Sequence, residues 1–436
     1  MDDFKKGTKI KLTNGDFVTV KSKIGEGGQG CVYKVDYNGK DYAMKWYLHR
    51  YLRSLKSVDK FYNNLASNIA SGSPSQKFLW MKAVATTGKH SKGFGYVMDL
   101  RPDNYAEFTK FVKAKEFFAN TSAVINAAIN IVEAFMCLHR KGYSYQDLSP
   151  GNFFIDKNTG DVLICDNDNV APNNKNLGVS GTPGYIAPEV LLGQARPSAS
   201  TDLFSLSVIL FELFFLSHPL NGAKCCKYPC LTPKVEKELY AQNPVFVCSK
   251  TDTSNAPVRG TCSNLINLWP TYPTYLHDAF QDAFSNTALK NGINRLTERD
   301  WTKVLYKLQD DVVVCKNCGE ANFASMIKDG KTRCMSCKKT IASPVSIVGD
   351  RFEIVAGKGK ILSEYHLSFG DKTKSVALFV ESKKTAGVFG LKNESDYVWE
   401  VTYPDNTVRN YNKGEVVTLV PDTTIVFGNN KIVVKN

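Results

Sequence analysis

Tyr145-Gln146-Asp147-Leu148-Ser149-Pro150-Gly151-Asn152 follows a helical run rich in Ala, Ile and Phe that spans Asn120 to Lys141. An aspartate placed there can accept the proton of an attacking hydroxyl, and an asparagine five residues on can hold a magnesium ion. Downstream, Val162-Leu163-Ile164-Cys165-Asp166 is an apolar strand ending in a carboxylate, where the principal Mg²⁺ ligand belongs. The run Asp166-Asn167-Asp168-Asn169 also reads as a simple acidic turn. Upstream, Gly25-Glu26-Gly27-Gly28-Gln29-Gly30-Cys31-Val32 fits G-x-G-x-x-G-x-V. Glycines let a hairpin approach phosphates closely enough for backbone N–H groups to bind them, although a flexible hairpin gives the same letters. Gly25, Gly27, Gly28, Gly30 and Val32 are thus expected over a nucleotide. Tyr42-Ala43-Met44-Lys45 closes a strand after the turn signal Asn38-Gly39. Ala43 and Lys45 are expected beside that nucleotide, Lys45 on the α- and β-phosphates, with a surface lysine as the plain alternative. Each piece is weak alone. In this order, ending in Gly181-Thr182-Pro183-Gly184-Tyr185-Ile186-Ala187-Pro188-Glu189, they predict ATP-dependent phosphoryl transfer with Asp147, Lys45 and Asn152 as catalytic residues.

On these motifs, residues 15 to 310 resemble a protein kinase catalytic domain. The resemblance implies a serine/threonine-directed enzyme, marked by Thr182, and a buried ion pair between Glu189 and Arg295. It implies that Asp202 braces the catalytic loop, and that Met98 with Asp99, Leu100 and Arg101 forms the gatekeeper and adenine-binding hinge. Four departures stand out. Tyr145-Gln146 replaces the family's His-Arg, which removes the local cation that would receive a phosphate. Activity is therefore expected to be independent of phosphorylation at Ser180 or Thr182. Ser149 replaces a lysine that touches the γ-phosphate. Asp166-Asn167-Asp168 replaces Asp-Phe-Gly. The first helix has no glutamate for Lys45, which leaves Asn63, Asn64 and Asp59 as substitutes.

A narrower resemblance rests on Phe61-Tyr62-Asn63-Asn64-Leu65 with Asn68-Ile69, on Phe78-Leu79-Trp80, and on Cys165 to Asn169. His218-Pro219-Leu220 and Asn243-Pro244-Val245-Phe246 fit it too. These stretches resemble bacterial eukaryotic-like Ser/Thr kinases of the tellurite-resistance-associated group, which carry a C-terminal zinc ribbon. The resemblance implies a signalling or stress-response module, with a metal-dependent protein phosphatase and a von Willebrand A-type protein as partners.

The chain of 436 residues is long for one core, so two or three domains are expected. The fold class read from the sequence is α+β: a bilobal kinase-like domain over 8–311, then a zinc ribbon over 312–342, then a small all-β sandwich over 345–436. The N-lobe covers about 8–100 and the C-lobe about 101–311, with a Cys-, Pro-, Asn- and Thr-rich insertion at about 221–264. Residues 50 to 71 are expected to be helical and 93 to 100 a strand. Cys315-x-x-Cys318 and Cys334-x-x-Cys337, separated by 15 residues, supply four thiolates on two tight turns. That is the ligand set of a closed, structural zinc site rather than a redox dithiol. Cys225, Cys226 and Cys230 could join Cys248 or Cys262 in a second metal site; free thiols are the plainer reading. After Val345, short alternating runs separated by turn clusters argue for the sandwich. It loosely resembles forkhead-associated domains, and Ser363-x-x-His366 with Arg351 upstream echoes that family's phosphothreonine-reading motif; coincidence, with a sandwich that docks a partner through shape alone, is the plainer reading.

No segment reads as a membrane span. The most apolar stretch, Val208 to Leu216, is short and contains Glu212, and the N-terminus lacks the apolar core of a signal peptide. The chain is expected to be cytoplasmic. Its net charge of +13 reads as a basic surface, with no Lys/Arg run dense enough for nucleic acid. The function expected is a Mg²⁺- and ATP-dependent kinase acting on Ser or Thr of a protein substrate. The alternative is an ATP-binding pseudokinase scaffold, supported by the missing glutamate, Ser149 and Asn167. A small-molecule kinase is opposed by Thr182 and the intact Ala-Pro-Glu.

Overall fold

Apolar side chains alternate along the first strands, and that alternation closes them on themselves. In the computed structural model, which describes residues 4–88, 93–175, 177, 181–328, 332–341, 343–385 and 387–435, the chain forms two compact units. One unit comprises Met1–Ala119, Asn126–Pro270 and His277–Thr302, and the other comprises Asn120–Ile125, Thr271–Leu276 and Lys303–Asn436.

The first unit begins with β1 (Lys9–Leu12), β2 (Phe17–Glu26), β3 (Gly30–Tyr37) and β4 (Lys40–Tyr47). With β5 (Met81–Thr86) and β6 (Phe94–Asp99) they form a closed barrel in the order β1-β2-β3-β4-β6-β5. Ile10, Leu12, Val18, Val20, Tyr33, Val35 and Val97 fill it, as period-2 patterning requires. Asn38 and Gly39 both take positive φ (52° and 78°), the left-handed pair that a two-residue hairpin demands. Gly95 lies against β4 so closely that a Cβ there would sit 2.1 Å from the Lys45 carbonyl oxygen. Only glycine lets the strand carrying Lys45 pack this tightly.

The helix expected over 50–71 is two helices, α1 (His49–Ser54) and α2 (Val58–Ser71). Ser57 separates them by accepting the Lys60 N–H as an N-cap, which starts a new helix. After β7 (Tyr105–Glu107) and α3 (Phe108–Val112) comes α4 (Thr121–Arg140). On length and composition α4 could cross a membrane, with a mean hydropathy of 1.6 in its most apolar window, contrary to the expectation that no segment approaches a span. It is nevertheless a core helix: 61% of that window is buried, including Ile125, Ile131, Val132, Phe135 and Leu138.

Short pairs β8 (Tyr143–Ser144) with β11 (Ala171–Pro172), and β9 (Phe153–Asp156) with β10 (Val162–Ile164), bracket the loops that carry Asp147 and Asp166. Then come α5 (Pro188–Leu191), the almost wholly buried α6 (Ala199–Phe215), α7 (Pro233–Lys237), α8 (Ser263–Leu268), α9 (Thr274–Ala283), α10 (Asn286–Asn291) and α11 (Glu298–Asp310). The 221–264 stretch is organised by one buried side chain. Asn255 accepts from the Lys224 N–H and donates to the Leu220 and Val245 carbonyls, at 2.7 to 2.9 Å.

The second unit contains the hairpin β12 (Val312–Val314) and β13 (Ala321–Phe323). Beyond it lie β14 (Ser346–Val348), β15 (Glu353–Val355), β16 (Ile361–Ser363), α12 (Glu364–Ser368), β17 (Ser375–Glu381), β18 (Phe389–Asn393), β19 (Trp399–Thr402), β20 (Val408–Tyr411), β21 (Val416–Thr418), β22 (Thr424–Phe427) and β23 (Asn430–Lys435). These strands form two sheets, β15-β14-β23-β22-β19-β20 and β16-β17-β18-β21. Leu362, Phe379, Leu391, Trp399, Val401, Ile425 and Ile432, drawn from both sheets, share one apolar core.

The motif Ser363-x-x-His366 is spent inside this unit. His366 Nδ1 accepts from Ser363 N–H at 3.0 Å, and its Nε2–H meets Asp310 Oδ2 at 3.1 Å. Lys360, itself half-buried, donates to the Asp310 and Val312 carbonyls at 2.7 and 2.8 Å. Serine and histidine thus tie the end of α11 to α12, which explains their spacing without a phosphopeptide. If Gly95 is required as described, Gly95→Ala should cost about 1–3 kcal/mol or more in stability. A thermal melt unchanged from wild type would contradict that packing.

Candidate functional site

Lys45 sits at the centre of the site, and its surroundings differ from what its neighbours in sequence suggest. The ammonium is buried (4% exposed) and donates to Gln29 Oε1 at 2.8 Å, Asp166 Oδ1 at 3.2 Å and Asp168 Oδ2 at 3.1 Å. Burial alone would depress its pKa, but the Asp166 and Asp168 carboxylates outweigh it and hold the pKa above the ordinary lysine value. Asp168 is fully buried and also accepts from Tyr47 Oη at 2.7 Å and Tyr96 Oη at 3.2 Å.

Neither Asn63, Asn64 nor Asp59 fills the place of the missing glutamate. Asn63 and Asp59 lie on the exposed side of α2. Asn64 and Asn68 both donate to the Val170 carbonyl, at 2.7 Å each. Asp168 escapes a reading of the sequence because the acidic run is taken for its metal ligand, Asp166. The tyrosines escape it too, yet a signal existed: Tyr47 follows Lys45 by two residues on β4, and Tyr96 is the register partner of Lys45 on β6.

The expected nucleotide-facing residues come together around this point. Val32 and Lys45 are register partners, and Ala43 is the partner of Met98. Gly27 N–H bonds to the Gly30 carbonyl at 2.9 Å, and a Cβ on Gly27 or Gly28 would meet nothing within 4 Å. Gly25 lies with them on the exposed hairpin. Met98 is buried, Leu100 half-buried, and Asp99 exposed and paired with Lys82 at 3.1 Å.

Below Lys45 lies the loop that opens on Tyr145. The Tyr145 backbone N–H donates to Asp202 Oδ2 at 2.6 Å, and its hydroxyl donates to the Cys165 carbonyl. Tyrosine therefore ties this loop to the strand end that carries Asp166. Gln146 holds a positive φ of 71°, and its amide bonds the Lys175 carbonyl at 2.7 Å and the Leu177 N–H at 3.4 Å. A neutral amide thus anchors the following segment. Ser180 lies outside the described residues.

Asp147 accepts the Thr182 hydroxyl at 3.0 Å. Burial raises its carboxyl pKa above the ordinary value, the Thr182 hydrogen bond opposes this, and Asp166 and Asp168 add to it. Asn152 Oδ1 accepts from both the backbone N–H and the hydroxyl of Ser149, each at 2.8 Å. Asp166 itself takes a left-handed conformation (φ 55°) with a side chain 40% exposed.

The donor set suits a magnesium ion. Asp166 and Asn152 offer hard oxygen atoms, and Asp147 feels the charges of Asp166 and Asp168, which share the Lys45 ammonium between them, leaving excess negative charge for a cation. Their arrangement can bind phosphates on Lys45 and the glycine hairpin, and can take a proton at Asp147.

The run Gly181 to Glu189 is fastened at both ends. Glu189 and Arg295 form two parallel bonds, Nη1–Oε1 at 2.7 Å and Nη2–Oε2 at 2.8 Å, and Arg295 also donates to the Ser200 and Ala288 carbonyls. Tyr185 donates to the buried Glu212, whose pKa is pushed up to about 8 by burial. His218 accepts from Leu220 N–H and bonds the Gly184 carbonyl at 3.0 Å, and burial lowers its pKa to about 4.

In the second unit, the sulfurs of Cys315, Cys318, Cys334 and Cys337 lie within 4.8 Å of one another. Asn322 points its amide at Cys334 Sγ (3.6 Å) and accepts from Met335 N–H, bracing one Cys-x-x-Cys turn. This is the one such cluster among the described residues. Cys225 and Cys226 instead face Asn221 and Thr261, and Cys262 faces the Asn221 carbonyl, so they do not converge on a second site.

Residues 18–227 match the protein kinase domain family. The chain is 26% identical over 246 residues to the dual specificity protein kinase shkB of Dictyostelium discoideum, which covers 55% of this chain and 34% of that protein. It is 24% identical over 268 residues to the probable serine/threonine-protein kinase kinX of the same organism, covering 58% and 23%. It is 36% identical over 99 residues to protein kinase C delta type of Rattus norvegicus, covering 22% and 14%. The chain thus spans about a third or less of these relatives' lengths. Over the matched stretch, of mixed α and β structure, the chain is similar to protein kinase domains at low identity, and its relatives include a probable serine/threonine-protein kinase.

His139 was not singled out from the sequence. It lies against Asp202 (3.1 Å) and Glu298. Burial would lower its pKa, but these two carboxylates raise it to about 9. Because this folded value exceeds the ordinary 6.5, its stabilisation is complete below pH 6.5 and is lost as pH rises through 9. Glu212 also loses stability with rising pH, but over the lower window from 4.5 to 8. Stability should therefore fall between pH 8 and 9.5 by an amount on the order of 1 kcal/mol, read as a lower melting temperature, and His139→Gln should flatten that fall. Parallel curves for the two proteins would contradict the assignment.

Proposed function

We propose that the chain is a Mg²⁺-dependent protein kinase that moves the γ-phosphoryl group of ATP to Ser or Thr hydroxyls of a protein. The observation that carries this is the convergence of Lys45, Asp166 and Asp168 within 3.2 Å, with Asp147 and Asn152 on the adjoining loop. In this reading the glycine hairpin and Lys45 bind phosphates, and Met98, Asp99 and Leu100 border the adenine. Asp166 and Asn152 would hold magnesium, which neutralises charge on the phosphate oxygens when bound. Asp147 orients the substrate hydroxyl and takes its proton. That hydroxyl oxygen bonds to the γ-phosphorus while the bond to the β–γ bridging oxygen breaks and ADP leaves. Thr182, donating to Asp147, keeps the carboxylate turned toward the groove.

A second reading, an ATP-binding pseudokinase scaffold, draws support from one contact. Ser149 fills Asn152 Oδ1 with two donors, so a cation there must displace the serine hydroxyl. The resemblance noted above extends the proposal to a cytoplasmic bacterial stress-response module with a metal-dependent phosphatase and a von Willebrand A-type partner. The four cysteines would hold structural zinc in a ribbon over 312–342, and the sheets of 345–436 would form a β-sandwich that docks a partner.

With γ-labelled ATP, Mg²⁺ and a basic protein substrate, Asp147→Asn should cut transfer by about 100-fold or more while MgATP still binds. Equal labelling by both proteins would sink the kinase reading. Because Gln146 offers no cation, phosphatase treatment of the purified protein should leave its rate unchanged, and an abolished rate would show that a phosphate is needed. Thr182→Ala is not a clean test of that point, since it also removes the donor on Asp147. Chelation should release one zinc per chain and lower the melting temperature of the second unit without changing ATP affinity; loss of ATP binding in magnesium-replete buffer would refute this division.

A further inference from the structure

We infer that Asp168 is the positioning residue for Lys45, doing from the metal-binding loop what a helix glutamate does in other kinases, with Tyr47 and Tyr96 holding Asp168 in place. The inference rests on the kinase reading for its catalytic meaning, but its geometry stands apart from it. α2 contains no glutamate, and its two buried amides, Asn64 and Asn68, are both committed to the Val170 carbonyl. Lys45 therefore takes its carboxylate partners from residues 166 and 168.

Those two partners are not equivalent. Asp166 has a side chain 40% exposed in a loop that must accept a cation. Asp168 has a side chain of 0% exposure, with both oxygens engaged: Oδ1 with Tyr96 and Lys45, Oδ2 with Tyr47 and Lys45. A carboxylate fixed by two hydroxyls and closed to solvent has one orientation to offer, and a lysine bonded to it inherits that orientation. Asp168 has no other part in the proposed chemistry, and an unpaired carboxylate at this depth would be strongly unfavourable. The two asparagines complete the device, because Val170, two residues on, is latched to α2 through its carbonyl. The loop from 166 to 170 thus couples lysine placement to the seating of α2, whereas a glutamate on α2 would make the helix itself the moving part.

The test compares Asp168→Asn, Asp168→Glu, Tyr47→Phe and Tyr96→Phe in the full chain. Three readings are taken: melting temperature, equilibrium binding of MgATP and of adenosine, and kcat and KM where transfer is detected. Asparagine keeps the shape and discards the charge; glutamate keeps the charge and overfills the site. A positioning role predicts that Asp168→Asn weakens MgATP binding about tenfold while adenosine binding stays within about twofold, and that it lowers kcat more than it raises KM. Asp168→Glu should recover part of both, and each tyrosine variant should show a smaller loss of the same kind. A merely structural role predicts the reverse order, with Asp168→Glu the worse of the two and MgATP and adenosine affected alike. That order, or an unchanged ratio of MgATP to adenosine affinity, overturns the inference. If the wild type transfers no phosphate yet the binding ratio shifts as described, the kinase reading fails and the positioning role stands.

Discussion

A buried ammonium is the constraint on which the first unit depends. Lys45 cannot stay charged beneath the barrel unless carboxylates accompany it, and the penalty for an unpaired charge there exceeds what any single packing contact returns. Asp166 and Asp168 meet that demand, and doing so fixes the loop after β10 against β4. Gly95 lets β6 lie against β4 at this level, and Tyr47 and Tyr96 project from the same face to cap Asp168. The loop that carries Asp147 is then fastened by Asp202 through the Tyr145 backbone, and the Gly181–Glu189 run by Arg295. The site is thus a chain of charge compensations running from barrel to helices, with few free side chains in it.

That arrangement accounts for how the chain departs from the kinase pattern without losing the geometry. Where the resemblance would place an Arg, Gln146 bonds the Lys175 carbonyl and the Leu177 N–H directly. Where a phenylalanine would pack, Asn167 is buried and donates to the Leu79 and Ile164 carbonyls at 3.0 Å. Apolar packing and long-range charge are exchanged for short-range amide bonds. Such bonds are directional, so they specify one loop conformation more narrowly than packing does.

Most of this was legible where chemistry repeats locally, and illegible where it is made at a distance. The hairpin at Asn38-Gly39, the barrel strands and the two Cys-x-x-Cys turns follow from residues adjacent in sequence. The partner of Lys45 lies 123 residues away, and the acidic run that supplies it has the letters of a turn. The break between α1 and α2 turned on Ser57, one cap residue inside an otherwise helical pattern. Ser363-x-x-His366 shows that a motif's letters do not say whether its side chains face outward or cap their own helix. The helix α4 passes a membrane test on composition for a related reason: a core helix packed on most sides needs the same residues that lipid does.

The most direct measurement is the structure of the full chain bound to Mg²⁺ and a non-hydrolysable ATP analogue. The account predicts the triphosphate under the Gly25–Gly30 hairpin, the ion on Asp166 and Asn152, and Lys45 bonded at once to a phosphate oxygen and to Asp168. A nucleotide held elsewhere, or a Lys45 that leaves Asp168 for a residue of α2, would contradict it.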